Sequence, residues 1–528
     1  LKILSFKPGH DGSSVYVSDE FLKFSHEAEK DSASRFSPLD VTSIIDSFEF
    51  SRAQPDAIAI SGWDEIRGGA RRKIGSGYLG LEAPEIRQVE IFGRHIKLIS
   101  SSHERSHILC SYALSPFPQG VPCYALVWEG HIGRFYEIDD AMNISLLCDV
   151  MWGPGIRYAF AYGLMDPSFD LSPGAIRLSD AGKLMALAAY EDELSPTQEE
   201  QYLVSALLSN PEKIPKFSKS DFRAFSQFNC GVTSTTGKRF SRLISDAILQ
   251  RFITRISPCI TRKSPLLISG GCGLNCEWNS SLSATGLFSD VFVPPCANDS
   301  GSAIGTAADA QFVLTGSAKL NWSVYSGQPF VVDEIEYRDF VCTKATPADI
   351  AKYLHDGAIL GWARGNAEIG PRALGNRSIL ASPFSKQTLL RLNQLKRRES
   401  FRPIAPVCSA EEVGEHFSPA KSSPYMLFFH QVLNPHLQAI THVDGSARVQ
   451  TVTYEQNAAL HSVLSEFRKL CGVGVLCNTS LNFNGTDFIN RGSDLANYAR
   501  EVHLDGFVIE DRLYMRKNSP AEILGETS

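Results

Sequence analysis

Four short apolar runs in this chain each end in a glycine-rich or acidic loop, and that pairing constrains its architecture more than any other feature. Residues 2–6 run into Pro8-Gly9-His10-Asp11-Gly12-Ser13, and residues 124–128 into Glu129-Gly130. Residues 266–269 open into Gly270-Gly271-Cys272-Gly273-Leu274-Asn275, and residues 291–293 into Pro294-Pro295-Cys296-Ala297-Asn298-Asp299-Ser300-Gly301. Runs of that length, alternating with helical patterns such as 276–282 and 347–354, read as strands. Strands that deliver polar loops at their ends are how α/β enzymes present ligand sites, so the chain is predicted to be α/β. At 528 residues it is too long for one core. The pattern weakens over 315–346, which suggests two domains, 1–340 and 341–528.

A second feature is basic. The run Ile369-Gly370-Pro371-Arg372-Ala373-Leu374-Gly375-Asn376-Arg377-Ser378, followed by Lys396-Arg397-Arg398-Glu399-Ser400-Phe401-Arg402-Pro403, contains six fixed cations. A basic run is commonly a solvated face. Here the cations alternate with Gly and Pro, which pre-set backbone geometry, and that fits a site gripping several phosphate or carboxylate oxygens together. The chain as a whole is acidic, with a formal net charge of -7, which argues against a general nucleic-acid or membrane binder. Twelve scattered cysteines without a Cys-x-x-Cys pair read as reduced thiols. No run approaches the ~20 apolar residues that span a bilayer. Leu1 opens directly on a strand-like run without the pattern of a secretory signal, so a cytoplasmic protein is expected.

His103 and His107 are four residues apart, so on a helix both imidazoles share one face, the spacing a helix needs to chelate one divalent ion. Such a pair alone is more often a surface or core pair. Glu129 at a strand end and Asp299 in a strand-to-helix loop are candidate acidic partners. Two imidazoles with two carboxylates suit iron, manganese or zinc. The loop at Gly270, Gly271 and Asn275 precedes a helix, where glycines allow a ribose or phosphate close to the backbone; a tight turn explains them equally well.

Six ordered segments carry a resemblance. Gly9-His10-Asp11-Gly12, Ala181-Gly182-Lys183-Leu184-Met185-Ala186-Leu187-Ala188-Ala189-Tyr190, Gly270-Gly271-Cys272-Gly273-Leu274-Asn275, Gly370 to Ser378, Thr441-His442-Val443-Asp444-Gly445 and Asn478-Thr479-Ser480 resemble, in that order, the O-carbamoyltransferases of nodulation-factor, aminoglycoside, ansamycin and cephalosporin biosynthesis. His26-Glu27-Ala28-Glu29-Lys30-Asp31-Ser32 and Val127-Trp128-Glu129-Gly130 are most similar to the cephem and ansamycin branch.

The resemblance implies an N-terminal domain of the actin-like ATPase type, similar to threonylcarbamoyl transferases, and a smaller C-terminal α/β domain similar to threonylcarbamoyl-adenylate synthases. It implies that carbamoyl phosphate and ATP, with Mg2+, give carbamoyl-adenylate in the C-terminal domain. The carbamoyl group would then pass to a hydroxyl of a small secondary metabolite in the N-terminal domain. The implied metal ligands are His103, His107, Glu129 and Asp299, with Fe2+ expected first and Mn2+ or Zn2+ as alternatives. Glu129 replaces an aspartate of the aminoglycoside enzymes. The implied adenylation residues are Arg372, Arg377, Lys396, Arg402, Arg448, Asn478 and Ser480. His10 matches the family's His-Asp turn and is the expected general base, a turn-capping histidine that only binds phosphate being the alternative. The aromatic segments 63–82 and 151–173 are candidate walls of the acceptor cleft. Neither nucleic acid nor membrane is an expected partner, and a homodimer is the oligomer to test for. A tRNA-modifying threonylcarbamoyl enzyme and a non-catalytic nucleotide-binding homologue are the competing readings.

Overall fold

The computed structural model describes residues 1–517 except 31–33, 53, 68–69, 92, 191–194, 337 and 484–487. Asp31 and Ser32 of the segment quoted above lie outside the described residues. The four apolar runs form strands Lys2–Lys7, Cys123–Trp128, Leu266–Ser269 and Val291–Phe292, and helices Cys276–Ala284 and Pro347–His355 stand where the patterns place them. The second of these helices starts on a capping box between Thr346 and Asp349 with Pro347 in its first turn, a start readable from the sequence.

In a first sheet, Lys2–Lys7 pairs antiparallel with Ser13–Ser18, which pairs antiparallel with Phe21–Glu27. On its other edge Lys2–Lys7 lies parallel to Ala57–Ser61, followed by Arg94–Ser101 and Glu85–Ile91. The second sheet repeats the plan. Cys123–Trp128, Gly133–Ile138 and Ile144–Asp149 form the antiparallel meander, and Leu266–Ser269 then Val291–Phe292 continue it in parallel from the first strand. One α/β topology is thus laid down twice. No fixed sequence period reveals it, because the connection from third to fourth strand runs over residues 28–56 in one sheet and 150–265 in the other.

The third sheet has eight strands, in the order Phe340–Lys344, Arg512–Arg516, Gly506–Ile509, Leu360–Ala363, Arg377–Ala381, Val475–Ser480, Ala405–Ser409 and Gln450–Val452. Both its faces are covered, as period-two alternation requires. Leu360, Trp362, Leu380 and Leu476 pack against helices Pro347–His355 and Ala458–Cys471. Ala363, Ile379, Ala381 and Cys477 pack against Lys386–Leu395 and Gly492–Glu501.

By packing, the chain divides into two compact units. One comprises Leu1–Ile60, Arg87–Leu98 and Leu320–Ser528, and the other Ser61–Ile86 and Ile99–Lys319. The third sheet lies in the former and the second sheet in the latter. None of the twelve cysteines forms a disulfide, and among the described residues no helix is long and apolar enough to cross a membrane.

Candidate active site

The metal-ligand candidates meet because of strand direction. Cys123–Trp128, Leu266–Ser269 and Val291–Phe292 run parallel, so the loops after them leave one edge of the second sheet and deliver Glu129, the Gly270 turn and Asp299 together. Gly270 has φ +91°, and a side chain there would meet the Trp128 carbonyl oxygen at 2.4 Å, so its smallness is a packing requirement. Helix His103–Leu114 begins at Ser102, whose hydroxyl accepts the Arg105 N–H, and all its residues are buried. It is fixed against helix Ser302–Thr315, which follows Asp299. Arg105 Nε and Nη2 reach the two oxygens of Asp309 at 2.7 and 2.8 Å, and Ser106 meets Thr306 at 2.8 Å.

The result is a tight cluster. His103 Nε2 and His107 Nε2 are 3.1 Å apart, and Glu129 Oε2 lies 3.3 and 3.4 Å from them. Asp299 Oδ1 lies 3.6 and 3.4 Å from the same two nitrogens. Four donors held about 2.0–2.2 Å from a central ion are about 2.8–3.6 Å from one another, whether the angles are octahedral or tetrahedral. The separations fit. So does the electrostatics, because this buried centre calls for positive charge. Burial alone would lower the His107 pKa, but bonding to Asp299 and Glu129 outweighs it and raises it to about 10. Burial holds His103 down. Burial would raise Glu129, but its bonds to the two histidines carry it well below the usual carboxylate range. The nitrogen and oxygen donors suit a borderline divalent ion of the iron, manganese or zinc type. Glu129 Oε1, the oxygen turned from the histidines, accepts a 2.5 Å hydrogen bond from the Tyr78 hydroxyl.

The basic residues gather on the third sheet. Lys396, at the end of helix Lys386–Leu395, donates to the Ser480 carbonyl at 2.6 Å and the Asn482 carbonyl at 3.2 Å, and also to Asn482 Oδ1. Asn478 Nδ2 donates to the Ala373 carbonyl at 3.1 Å and Gln450 Oε1 at 2.7 Å, which ties its strand to the Gly370 turn. Burial, then repulsion from Arg398, Arg402 and Arg35, pushes the Lys396 pKa well below its ordinary value. Burial, then Arg402 and Arg448, lowers Arg398 to about 9. Cations that depress one another in a buried place form a site that an anion would stabilise.

Two family descriptions match the chain. Residues 83–308 match Carbamoyltransferase N-terminus, and residues 351–516 match Carbamoyltransferase C-terminus. The chain belongs to the carbamoyltransferase family. It is 44% identical to the 3'-hydroxymethylcephem-O-carbamoyltransferase of Amycolatopsis lactamdurans, over 98% of this chain and 99% of that one. The protein of the same name from Streptomyces clavuligerus is 43% identical, again over 98% and 99%. Nodulation protein U of Sinorhizobium fredii is 31% identical over 96% and 98%.

In this carbamoyltransferase the turn that carries Arg372 is held from inside. Glu368 Oε1 accepts the N–H groups of Leu374, Asn376 and Arg377 at 2.7, 2.7 and 3.2 Å. Gly370, at φ +84°, donates its N–H to Glu27, and its carbonyl accepts from Lys30 at 2.6 Å. Arg377 differs from the expected phosphate grip. Its Nε donates to Asn490 Oδ1, and its terminal nitrogens donate to the carbonyls of Arg364, Asn376, Gln328 and Gly365. A guanidinium has five N–H groups, so Arg377 is a clamp for backbone carbonyls with no donor left for substrate. Arg377→Lys is therefore expected to destabilise the protein by about 2–4 kcal/mol in urea unfolding, because three ammonium donors cannot serve five acceptors.

His10 sits in the turn between the first two strands, with Nδ1 2.9 Å from Asp11 Oδ2 and 46% of its side chain exposed. Asp11 can orient the ring and select its tautomer, which suits a base and a turn residue alike. Asn275 Oδ1 accepts the N–H groups of Glu277 and Trp278, so its oxygen caps a helix, where a nucleotide contact was expected. Ser480 Oγ donates to Asn482, and Arg448 is half-buried with no acceptor for its Nε among the described residues. Of the aromatics in the candidate acceptor segments, Tyr158, Phe160 and Tyr162 are core residues. Sequence reasoning gave no role to Tyr78 at the cluster, nor to Glu27, Lys30, Glu368 or Gln450 around the basic site.

Proposed function

We propose that the protein is an ATP-dependent O-carbamoyltransferase acting on a hydroxyl of a small antibiotic-type metabolite, with a hydroxymethylcephem as the first acceptor to try. The observation that carries this reading is the 44% identity, over 98% of the chain, to a carbamoyltransferase named for that acceptor. The first half-reaction is assigned to 341–528. Atom balance sets its course: water cleaves the P–O bond of carbamoyl phosphate to give phosphate and carbamate, and a carbamate oxygen then displaces pyrophosphate from the α-phosphorus of ATP-Mg2+. Arg402 and Arg448, with Arg372 on its clamped turn, supply fixed positive charge that stabilises the phosphoryl group in flight, Lys396 adds its ammonium once an anion is beside it, and Asn478 and Ser480 orient the phosphoryl oxygens. The second half-reaction is assigned to 1–340. There the acceptor hydroxyl attacks the carbamoyl carbon, its proton passes to His10, and AMP leaves.

His103, His107, Glu129 and Asp299 would hold a divalent metal, Fe2+ first, which supplies Lewis acidity toward a phosphoryl or carbamoyl oxygen. The protein's own contribution at that centre is a dry, fixed set of donors. We further propose a cytoplasmic enzyme with no nucleic-acid or membrane partner.

Incubation with ATP, carbamoyl phosphate and metal, without acceptor, tests the reading by mass spectrometry. Carbamoyl-adenylate, or AMP that depends on carbamoyl phosphate, is expected; neither product across several metals would sink it. His10→Ala is expected to keep that acceptor-free reaction and to lower transfer to the acceptor by about a hundred- to ten-thousand-fold. Transfer at the wild-type rate would remove His10 as the base.

A further inference from the structure

We propose that Tyr78 is a positioning residue that holds Glu129 as a one-oxygen metal ligand and links that ligand to the groove beside it. The inference rests on the metal-centre reading above. It concerns what the longer carboxylate needs: a glutamate side chain reaches further than an aspartate and has more rotatable freedom, so something must decide which oxygen faces the ion and keep it there.

The two oxygens of Glu129 are divided. Oε2 faces both histidine Nε2 atoms at 3.3 and 3.4 Å, and Oε1 accepts the Tyr78 hydroxyl at 2.5 Å. A carboxylate whose second oxygen is taken by a strong hydrogen bond does not swing to chelate through both. The Tyr78 ring is itself located by the ligand set. It stacks on His103 with centroids 4.5 Å apart and planes at 25°, and Trp63 meets both rings edge-on at 5.1 and 5.4 Å.

The backbone is registered against the same helix. The carbonyls of Gly77 and Tyr78 accept the N–H groups of His103 and Glu104, each at 3.0 Å, so the turn carrying Tyr78 closes the first turn of the helix that carries both histidines. Ser76 adds bonds to Ser100 at 2.9 and 2.6 Å. Half-buried Tyr78 also lines a groove of about 270 Å³ together with Asp64, Lys73, Ser76, Gly77 and Leu79. A molecule in that groove touches a ring whose hydroxyl is bonded to a metal-ligand candidate.

Co2+ is the probe, because its visible absorption reports coordination number. Tyr78→Phe keeps the ring and the backbone bonds and removes only the hydroxyl. It is expected to weaken Co2+ binding about 10–100-fold and to shift the spectrum toward higher coordination as Glu129 turns both oxygens inward. In a Glu129→Asp background the shorter carboxylate no longer reaches the phenol, so adding Tyr78→Phe is expected to change Co2+ affinity less than about twofold. Wild-type affinity and spectrum in Tyr78→Phe, or the same loss in both backgrounds, would overturn the proposal. His107→Ala is the control for the centre itself: if it binds Co2+ as the wild type does, the metal reading has failed, not the role of Tyr78.

Discussion

Lys396→Met is expected to lower carbamoyl phosphate-dependent pyrophosphate release by at least about a hundred- to a thousand-fold while leaving the protein as stable as the wild type or more so. The two effects have one cause. The Lys396 ammonium is buried, and its pKa is pushed down by that burial and then by Arg398, Arg402 and Arg35. A lysine whose folded pKa lies below its unfolded value near 10.5 is a destabilising charge, because between those values the unfolded chain binds more protons. Stability of the wild type should therefore rise with pH through that window, and the methionine variant should lack this rise. Methionine matches the aliphatic length and removes the charge; the cost is the donor to Ser480 and Asn482. An arriving phosphate reverses the electrostatics, since a nearby anion favours the ammonium form. Within that same pH window nucleotide binding should accordingly take up a proton in the wild type and not in the variant, measurable by titration calorimetry in buffers of different ionisation enthalpy. Pyrophosphate release within a few-fold of wild type would remove Lys396 from the phosphoryl site.

What the sequence made legible depended on how far apart the interacting residues are. Apolar runs ending in polar loops located the strands, and their parallel direction then explains why Glu129 and Asp299 arrive at one edge. The i,i+4 histidines needed only a helix, and Ser102 ahead of them is the capping residue that starts one. Arg377 shows the opposite case. It stands in the same basic run as Arg372, and residue type alone assigns both to phosphate, yet its five acceptors come from residues 328, 364, 365, 376 and 490. No local pattern encodes that cage. Tyr78 is 51 residues from Glu129, and its role depends on a turn registered against a helix that begins 25 residues later. Asn275 is a different lesson: asparagine just before a helical pattern is itself a cap signal, and the glycines beside it drew the reading toward a nucleotide. Glu27 and Lys30 lie in a segment that carried family resemblance but no evident chemistry. Their function is to fix the N–H and the carbonyl of Gly370, 343 and 340 residues away.

His107→Ala is expected to abolish metal binding in the normal concentration range and, with it, transfer to the acceptor. The geometry gives the reason. Removing one of four converging donors leaves His103, Glu129 and Asp299 around a gap, and the two carboxylates, both almost wholly buried, lose one of the two imidazoles between them. Buried carboxylates without a compensating cation are costly, so the metal-free variant should melt below the metal-free wild type. The wild type should gain stability with metal, by about 4 kcal/mol when the free ion exceeds its dissociation constant a thousandfold, and should lose that gain on chelation. The variant should show no response to chelator. The second sheet carries the cluster and the third sheet carries the cations, so acceptor-free carbamoyl-adenylate formation should survive in His107→Ala and fail in Lys396→Met. A chelator-sensitive melting temperature retained in His107→Ala would place the metal elsewhere. Loss of adenylate formation in the same variant would mean that the cluster serves the first half-reaction as well as the second.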